Sequence, residues 1–183
     1  MTDRNRPLME ALDAWTAATS GEDAATAALP QPRSVADGAR VELREITGDT
    51  VREICRLAVA PGQSRFVAPN AVSLAEAHFS PEAWARAVYA DDVPVGFAML
   101  SLDITKAEYF LWRFMVADGF QRRGYGAAAL QLLVDHIRTL PGATALLTSW
   151  VPADGGPEPF YRGLGFEPTG EVDEGEVVGR LPL

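Results

Sequence analysis

FMVADGFQRRGYGAAALQLL, residues 114–133, passes from an apolar β-rich run through a polar turn with two glycines into a helix. The N–H groups of a helix's first turn have no partner inside the helix, and the helix dipole points the same way. Both converge here on the segment Gln121–Gly126, a spot suited to phosphate. Gly124 and Gly126 let the backbone approach a ligand without interference from a Cβ. Arg122 and Arg123 add local positive charge to a chain whose formal net charge is −9. The segment therefore predicts a cradle for the diphosphate of a nucleotide-like cofactor, against the plainer alternative of a solvated turn.

Downstream of the turn, Leu130, Leu133, Val134 and Ile137 recur at helical spacing, and Pro141 and Gly142 close the helix. ALLTSW then reads as a strand, PEPFYRGLG as a short helix stopped by Gly165, and FEPTGEV and EVVGRLPL as closing strands. Upstream, WARAVYA and VPVGFAMLSL form a hairpin about Asp91 and Asp92, followed by a third strand, EYFLWRFMV. VELREI alternates like a strand, Gly48 and Asp49 introduce a helix through Leu57, and VSLAEAHF is a further helical segment after the loop APGQSRFVAPNA. The expected fold class is α/β of the α+β type, a mixed and mostly antiparallel central sheet flanked by helices.

Two other phosphate-binding architectures fit poorly. The stretch satisfies G-x-G-x-x-A, but a dinucleotide fingerprint places its glycines at the strand end, with an acidic residue about 20 positions later. Here residues 117–123 separate Val116 from Gly124, ALLTSW ends without a carboxylate, and antiparallel strands precede the glycines. No Gly-Lys-Ser/Thr follows, so there is no Walker A loop.

The chain has 183 residues, enough for one domain with a substantial core. Residues 1–39, rich in Ala, Thr, Asp and Pro, read as an N-terminal extension in which Leu8, Leu12 and Trp15 could line a short helix; residues 40–183 form the domain proper. The acidic balance argues against nucleic acid as a partner, since backbone binding needs clustered Lys and Arg, and favours small cationic guests. No apolar run approaches the 18 residues of a membrane span, and MTDRNRPLME lacks the pattern of a secretory signal, so a soluble cytoplasmic protein is expected. Cys55 is the sole cysteine and is assigned to packing; the sequence indicates no metal site.

Gln121-Arg122-Arg123-Gly124-Tyr125-Gly126 matches the [Q/R]-x-x-G-x-[G/A] motif, and Phe160-Tyr161-Arg162-Gly163-Leu164-Gly165-Phe166 matches a second, C-terminal one. In both, residues from about 41 to 183 resemble the GNAT family of acetyl-CoA-dependent N-acetyltransferases. The resemblance implies acetyl-CoA as donor, with its diphosphate on backbone amides from Arg122 to Ala127 (Arg122, Arg123, Gly124, Tyr125, Gly126, Ala127) beside Gln121. Its pantetheine arm would lie along Phe114, Met115 and Val116, where the strand splays from its neighbour at a bulge. It further implies that the Met115 N–H polarises the thioester carbonyl and that Tyr161 is the general acid for the departing thiolate.

A proton acceptor for the amine is harder to assign. Trp112 stands where many relatives carry a glutamate, Glu108 lies four residues earlier, and Glu76 and His78 are candidates for the acceptor groove; His136 is expected to face solvent. RFVAPN, SLAEA and LWRFMV resemble bacterial spermine/spermidine acetyltransferases of the diamine type, implying a polyamine acceptor bound by the Arg65–Glu76 region, with Trp112 nearby. Another small amine such as an antibiotic, a protein N-terminus, or a module that binds acyl-CoA without catalysis are the alternatives. Relatives are often dimers, so a homodimer is possible within this resemblance.

Overall fold

The computed structural model describes residues 35 and 38–183. The helical reading of Leu8, Leu12 and Trp15 falls outside the described residues. The elements are β1 (Val41–Arg44), α1 (Val51–Arg56), a 3-10 turn (Pro61–Gln63), α2 (Asn70–His78), β2 (Ala83–Ala90), β3 (Val93–Asp103), β4 (Glu108–Val116), α3 (Tyr125–Arg138), β5 (Ala145–Trp150), α4 (Glu158–Gly163), β6 (Glu167–Asp173) and β7 (Glu176–Pro182).

The strands form one sheet in the order β1-β2-β3-β4-β5-β7-β6. Every neighbouring pair is antiparallel except β4 and β5. A parallel pair requires a crossover, and α3 supplies it. The expected α+β class is the observed one, and this topology rules out a doubly wound dinucleotide fold.

Side chains on β3 alternate between two apolar layers. Phe97 and Met99 pack with Ile54 and Met115 on one face, and Ala98 and Leu100 pack with Leu130, Leu133 and Ile137 on the other. A strand covered on both faces reads as a continuous apolar run, which VPVGFAMLSL is. In α3 the side chains of Leu130, Leu133, Val134 and Ile137 are buried, as their spacing requires. Asp91 adopts φ 52 at the tight β2–β3 turn, a conformation Asp tolerates better than most residues. No helix among the described residues is long and apolar enough to cross a membrane.

One expectation on α3 is corrected. His136 is half-buried rather than solvent-facing: it stacks on Trp84 at 4.4 Å between ring centroids, and burial lowers its pKa, with Arg86 adding in the same direction. Helical spacing alone could not reveal that Trp84, in β2, reaches across to cover it.

Candidate active site

β4 and β5 are paired only at Phe110↔Leu147 and Leu111↔Thr148, and then part. The local cause lies in β4. Its register against β3 shifts so that Met99 faces Arg113 while Leu100 faces Leu111, leaving Trp112 as the extra residue of a bulge. A bulge bends and twists the strand that carries it. At the apex of the fork the Thr148 hydroxyl donates to the Leu111 carbonyl at 3.1 Å. A cleft of about 770 Å³ occupies the opening, a volume typical of small-molecule sites.

One end of the cleft is the start of α3. Gly124, at φ 84, is its N-cap, and no side chain caps the helix. The first helical bond outside the turn runs from the Ala128 N–H to the Gly124 carbonyl at 3.0 Å, so the N–H groups of Tyr125, Gly126 and Ala127 point beyond the helix start. The turn is anchored from both sides. The Asp118 N–H donates to the Ala58 carbonyl at 2.8 Å, and Gln121 Nε2 donates to the Val116 carbonyl at 2.9 Å and to Gln63 Oε1 at 2.7 Å. A row of free amides held at a helix N-terminus suits the diphosphate of a coenzyme, and Arg122 lines the cleft beside them.

The two glycines serve different purposes. Gly124 is required by its left-handed backbone, and a Cβ there would meet nothing within 4 Å. At Gly126 a Cβ would come within 3.2 Å of the Phe160 ring and 3.4 Å of Val116 Cγ2, so this glycine lets α3 pack closely on α4 and β4 rather than admitting a ligand.

Of the residues expected at the coenzyme, Phe114, Met115, Val116, Gln121, Arg122, Gly124, Gly126 and Ala127 line the cleft. The Arg123 side chain is exposed outside it, and the Tyr125 ring is buried in the core, leaving only the backbone of these two at the cradle. The expected role of the Met115 N–H needs correction. The Ala117 N–H donates to the Val95 carbonyl at 2.8 Å and Met115 is paired with Phe97, so the alternation of an antiparallel ladder directs the Met115 N–H at β3. Phe114 and Val116 direct their backbone groups to the other side, toward the cleft, where Gln121 already holds the Val116 carbonyl.

The residues expected near the acceptor are scattered. Trp112 lines the cleft. Glu76 does not, being paired with Arg113 Nη2 at 3.0 Å, so it reaches the cleft only through that guanidinium. His78 is exposed at the end of α2, edge-on to Phe79. Glu108 is exposed at the start of β4, at the end remote from the cradle, and does not line the cleft. Arg65 to Pro69 form one wall, with Arg65 Nη2 donating to the Asp154 carbonyl at 2.9 Å and so tying this loop to the one before α4.

Tyr161 lies beside Thr148 at the fork, 6 % exposed, with its ring against Trp150, Phe160 and Phe166 at 5.4–5.6 Å between centroids. Burial pushes its phenol up to about 12; the nearby Glu176 carboxylate adds to this, and a hydrogen bond with Thr148 opposes it. Tyr161 is therefore a neutral donor at every physiological pH. Glu176 lines the cleft from β7 and accepts a short hydrogen bond from the Ser149 hydroxyl. Nothing in the local sequence marks Glu176, because it reaches the cleft only through the β5–β7 pairing. Among the described residues no three His, Cys, Asp or Glu side chains cluster as metal ligands.

A family model described as the acetyltransferase (GNAT) family matches residues 52–166, and so spans α1, the cradle and the Tyr161 helix. No curated protein sequence matches. Among solved structures, the chain is similar to the PaiA N-acetyltransferase of Thermoplasma acidophilum in complex with coenzyme A, at 12% identity and a TM-score of 0.59, over 79% of this chain and 99% of that one. It is also similar to the ribosomal-protein-S18-alanine N-acetyltransferase of Escherichia coli, at 17% identity and a TM-score of 0.60, over 78% and 94% of the respective chains. An aminoglycoside acetyltransferase in complex with coenzyme A aligns at 15% identity and a TM-score of 0.65, over 78% and 95%. At these identities the likeness is one of fold; the family model spanning most of the described domain carries the assignment, and the chain belongs to the GNAT family of acetyl-CoA-dependent acetyltransferases.

Proposed function

We propose that this acetyltransferase acts on the primary amine of a small cationic acceptor, with polyamines such as spermidine and spermine as the leading class, and that Tyr161 is its general acid. The observation that carries the reading is the position of the Tyr161 phenol, held beside Thr148 where β4 and β5 part. The free amides of Tyr125, Gly126 and Ala127, with Arg122, hold the diphosphate of the donor. The backbone of Phe114 pairs with the pantetheine arm, its N–H donating to the thioester oxygen where negative charge develops. Tyr161 donates to the sulfur as the carbon–sulfur bond breaks.

Two features favour a polyamine-like acceptor. The segment Arg65–Pro69, part of the stretch resembling diamine acetyltransferases, borders the cleft. Its cations are also partly committed: Arg113 is paired with Glu76, and Arg65 is turned to a carbonyl, which leaves the Glu176 carboxylate to receive an ammonium group.

The test is release of free thiol from acetyl-CoA with spermidine, spermine, putrescine and an aminoglycoside in parallel, with the acetylated amine identified by mass. Turnover with the polyamines is expected. Turnover with the aminoglycoside alone would move the acceptor class, and silence with every amine despite coenzyme binding would overturn the reading.

A further inference from the structure

An amine acceptor arrives at neutral pH as an ammonium ion, since an alkyl amine titrates near 10.4. It must be gathered into the cleft and stripped of a proton before it can attack a thioester. The expected candidates do not serve: on β4, Trp112 occupies the bulge and Glu108 is exposed beyond the cleft, and Glu76 of α2 is engaged by Arg113.

Among the described charged residues lining the cleft, Arg65, Arg113 and Arg122 are cations and Glu176 is the one carboxylate. Glu176 is also positioned. It begins β7 directly after the tight turn at Glu174 and Gly175, whose φ values are 47 and 89. One of its oxygens is held by the Ser149 hydroxyl, leaving the other free to face a ligand. On β5, Leu146, Thr148 and Trp150 are buried with α3 and α4, so Ser149 points to the opposite face. Glu176 and Tyr161 thus approach the fork from different faces, close enough for the carboxylate to raise the Tyr161 pKa. A nucleophile adds to a face of the thioester plane while sulfur lies within that plane, so a proton acceptor and a proton donor at two separate positions suit the reaction.

We propose that Glu176, held by Ser149, binds the acceptor ammonium and accepts its protons; this rests on the acetyl-transfer reading above. The ammonium loses one proton through Glu176 to solvent before attack. The second follows the same route as the nitrogen–carbon bond forms and the carbon–sulfur bond breaks. Sulfur takes the Tyr161 proton, and the phenolate regains one from solvent. The balance is one proton released per acetyl group transferred, with coenzyme A leaving as the free thiol.

The experiment titrates spermidine, and separately n-butylamine, into the full-length protein saturated with coenzyme A, with calorimetric detection and no turnover. It is run for wild type, Glu176→Gln and Ser149→Ala, alongside initial rates with acetyl-CoA. Glu176→Gln is expected to weaken both amines about thirtyfold, a loss typical of removing the partner of a partly buried charge. It should lower kcat about a hundredfold, the usual scale for a lost proton acceptor. Coenzyme A affinity, which also reports correct folding, should change less than about twofold, because the cradle amides are untouched. Ser149→Ala, which frees the carboxylate but keeps it, should give a smaller loss of the same kind. Unchanged amine affinity and kcat in Glu176→Gln would overturn the proposal, as would the absence of amine binding to wild type. Amine binding that depends on Glu176 without any acetyl transfer would instead sustain the ammonium site and sink the acetyl-transfer reading.

Discussion

Replacing Tyr161 by Phe removes one oxygen from the apex of the fork and leaves the aromatic packing against Trp150, Phe160 and Phe166 in place. A phenol raised to about 12 is a weaker acid than a thiol near 8.5, so complete transfer even to the released thiolate is uphill by about 5 kcal/mol at 1.36 kcal/mol per unit, and transfer ahead of bond breaking is more unfavourable still. In the proposed mechanism Tyr161 would therefore work as a strong, preorganised hydrogen-bond donor whose proton moves only as charge appears on sulfur. Loss of one such donor costs about a hundred- to a thousandfold in kcat. That is the expected fall in thiol release, with the KM for acetyl-CoA changed by less than about threefold, because the interaction belongs to the transition state. The neutral phenol is the working form, so no basic limb from Tyr161 should enter the pH–rate profile until pH approaches about 12. The reasoning is refuted if the mutant keeps more than about a fifth of wild-type kcat. It is equally refuted by a basic limb centred below about pH 10 that disappears in the mutant.

The same shift predicts a stability effect. A pKa raised from 10.0 to about 12 means that this group's contribution is full below pH 10 and is lost as pH rises toward 12. The loss amounts to about 3 kcal/mol. Urea unfolding at pH 9 and 11.5 should show about 2 kcal/mol of it in wild type and none in Tyr161→Phe. At neutral pH the two should differ by about 1 kcal/mol or less. Arg122→Ala should weaken coenzyme A binding about tenfold and flatten its salt dependence, measured by calorimetry at two ionic strengths, whereas Arg123→Ala, outside the cleft, should do so less. Gly124→Ala puts a side chain on a backbone at φ 84, costing about 1–2 kcal/mol in a denaturant melt and loosening the cradle enough to weaken coenzyme affinity. Gly179→Ala would bring a Cβ within 2.1 Å of the Trp150 ring behind Tyr161; thermal unfolding should fall by about 5–10 °C, as for an overpacked core.

Much of the fold is legible along the chain because its signals are local. The run Glu108–Val116 is a strand and Ala145–Trp150 is another over the same residues that their composition delimits, and the apolar face of α3 falls where its spacing puts it. The cradle is legible for the same reason, since a strand end, a left-handed glycine and a helix start are consecutive in sequence.

Other features depend on registers between distant segments. The bulge at Trp112 exists only in the pairing of β4 with β3, and the same ladder turns the Met115 N–H toward β3 and the Phe114 backbone toward the cleft. His136 is covered by a tryptophan 52 positions earlier in the chain, and Tyr125 spends its ring on the core while lending its backbone to the cradle. Glu176 is one acidic residue in an acidic closing hairpin, indistinguishable from its neighbours until β7 pairs with β5 and sets it beside Ser149 and Tyr161. Sequence by itself determined the order of elements, the glycine turn that opens α3 and the family, because each is written in contiguous residues or short motifs. Only the tertiary structure decided which backbone groups of β4 face the cleft and that the Glu176 carboxylate lines it beside Ser149, because both depend on strand register and on which face of the sheet each side chain meets.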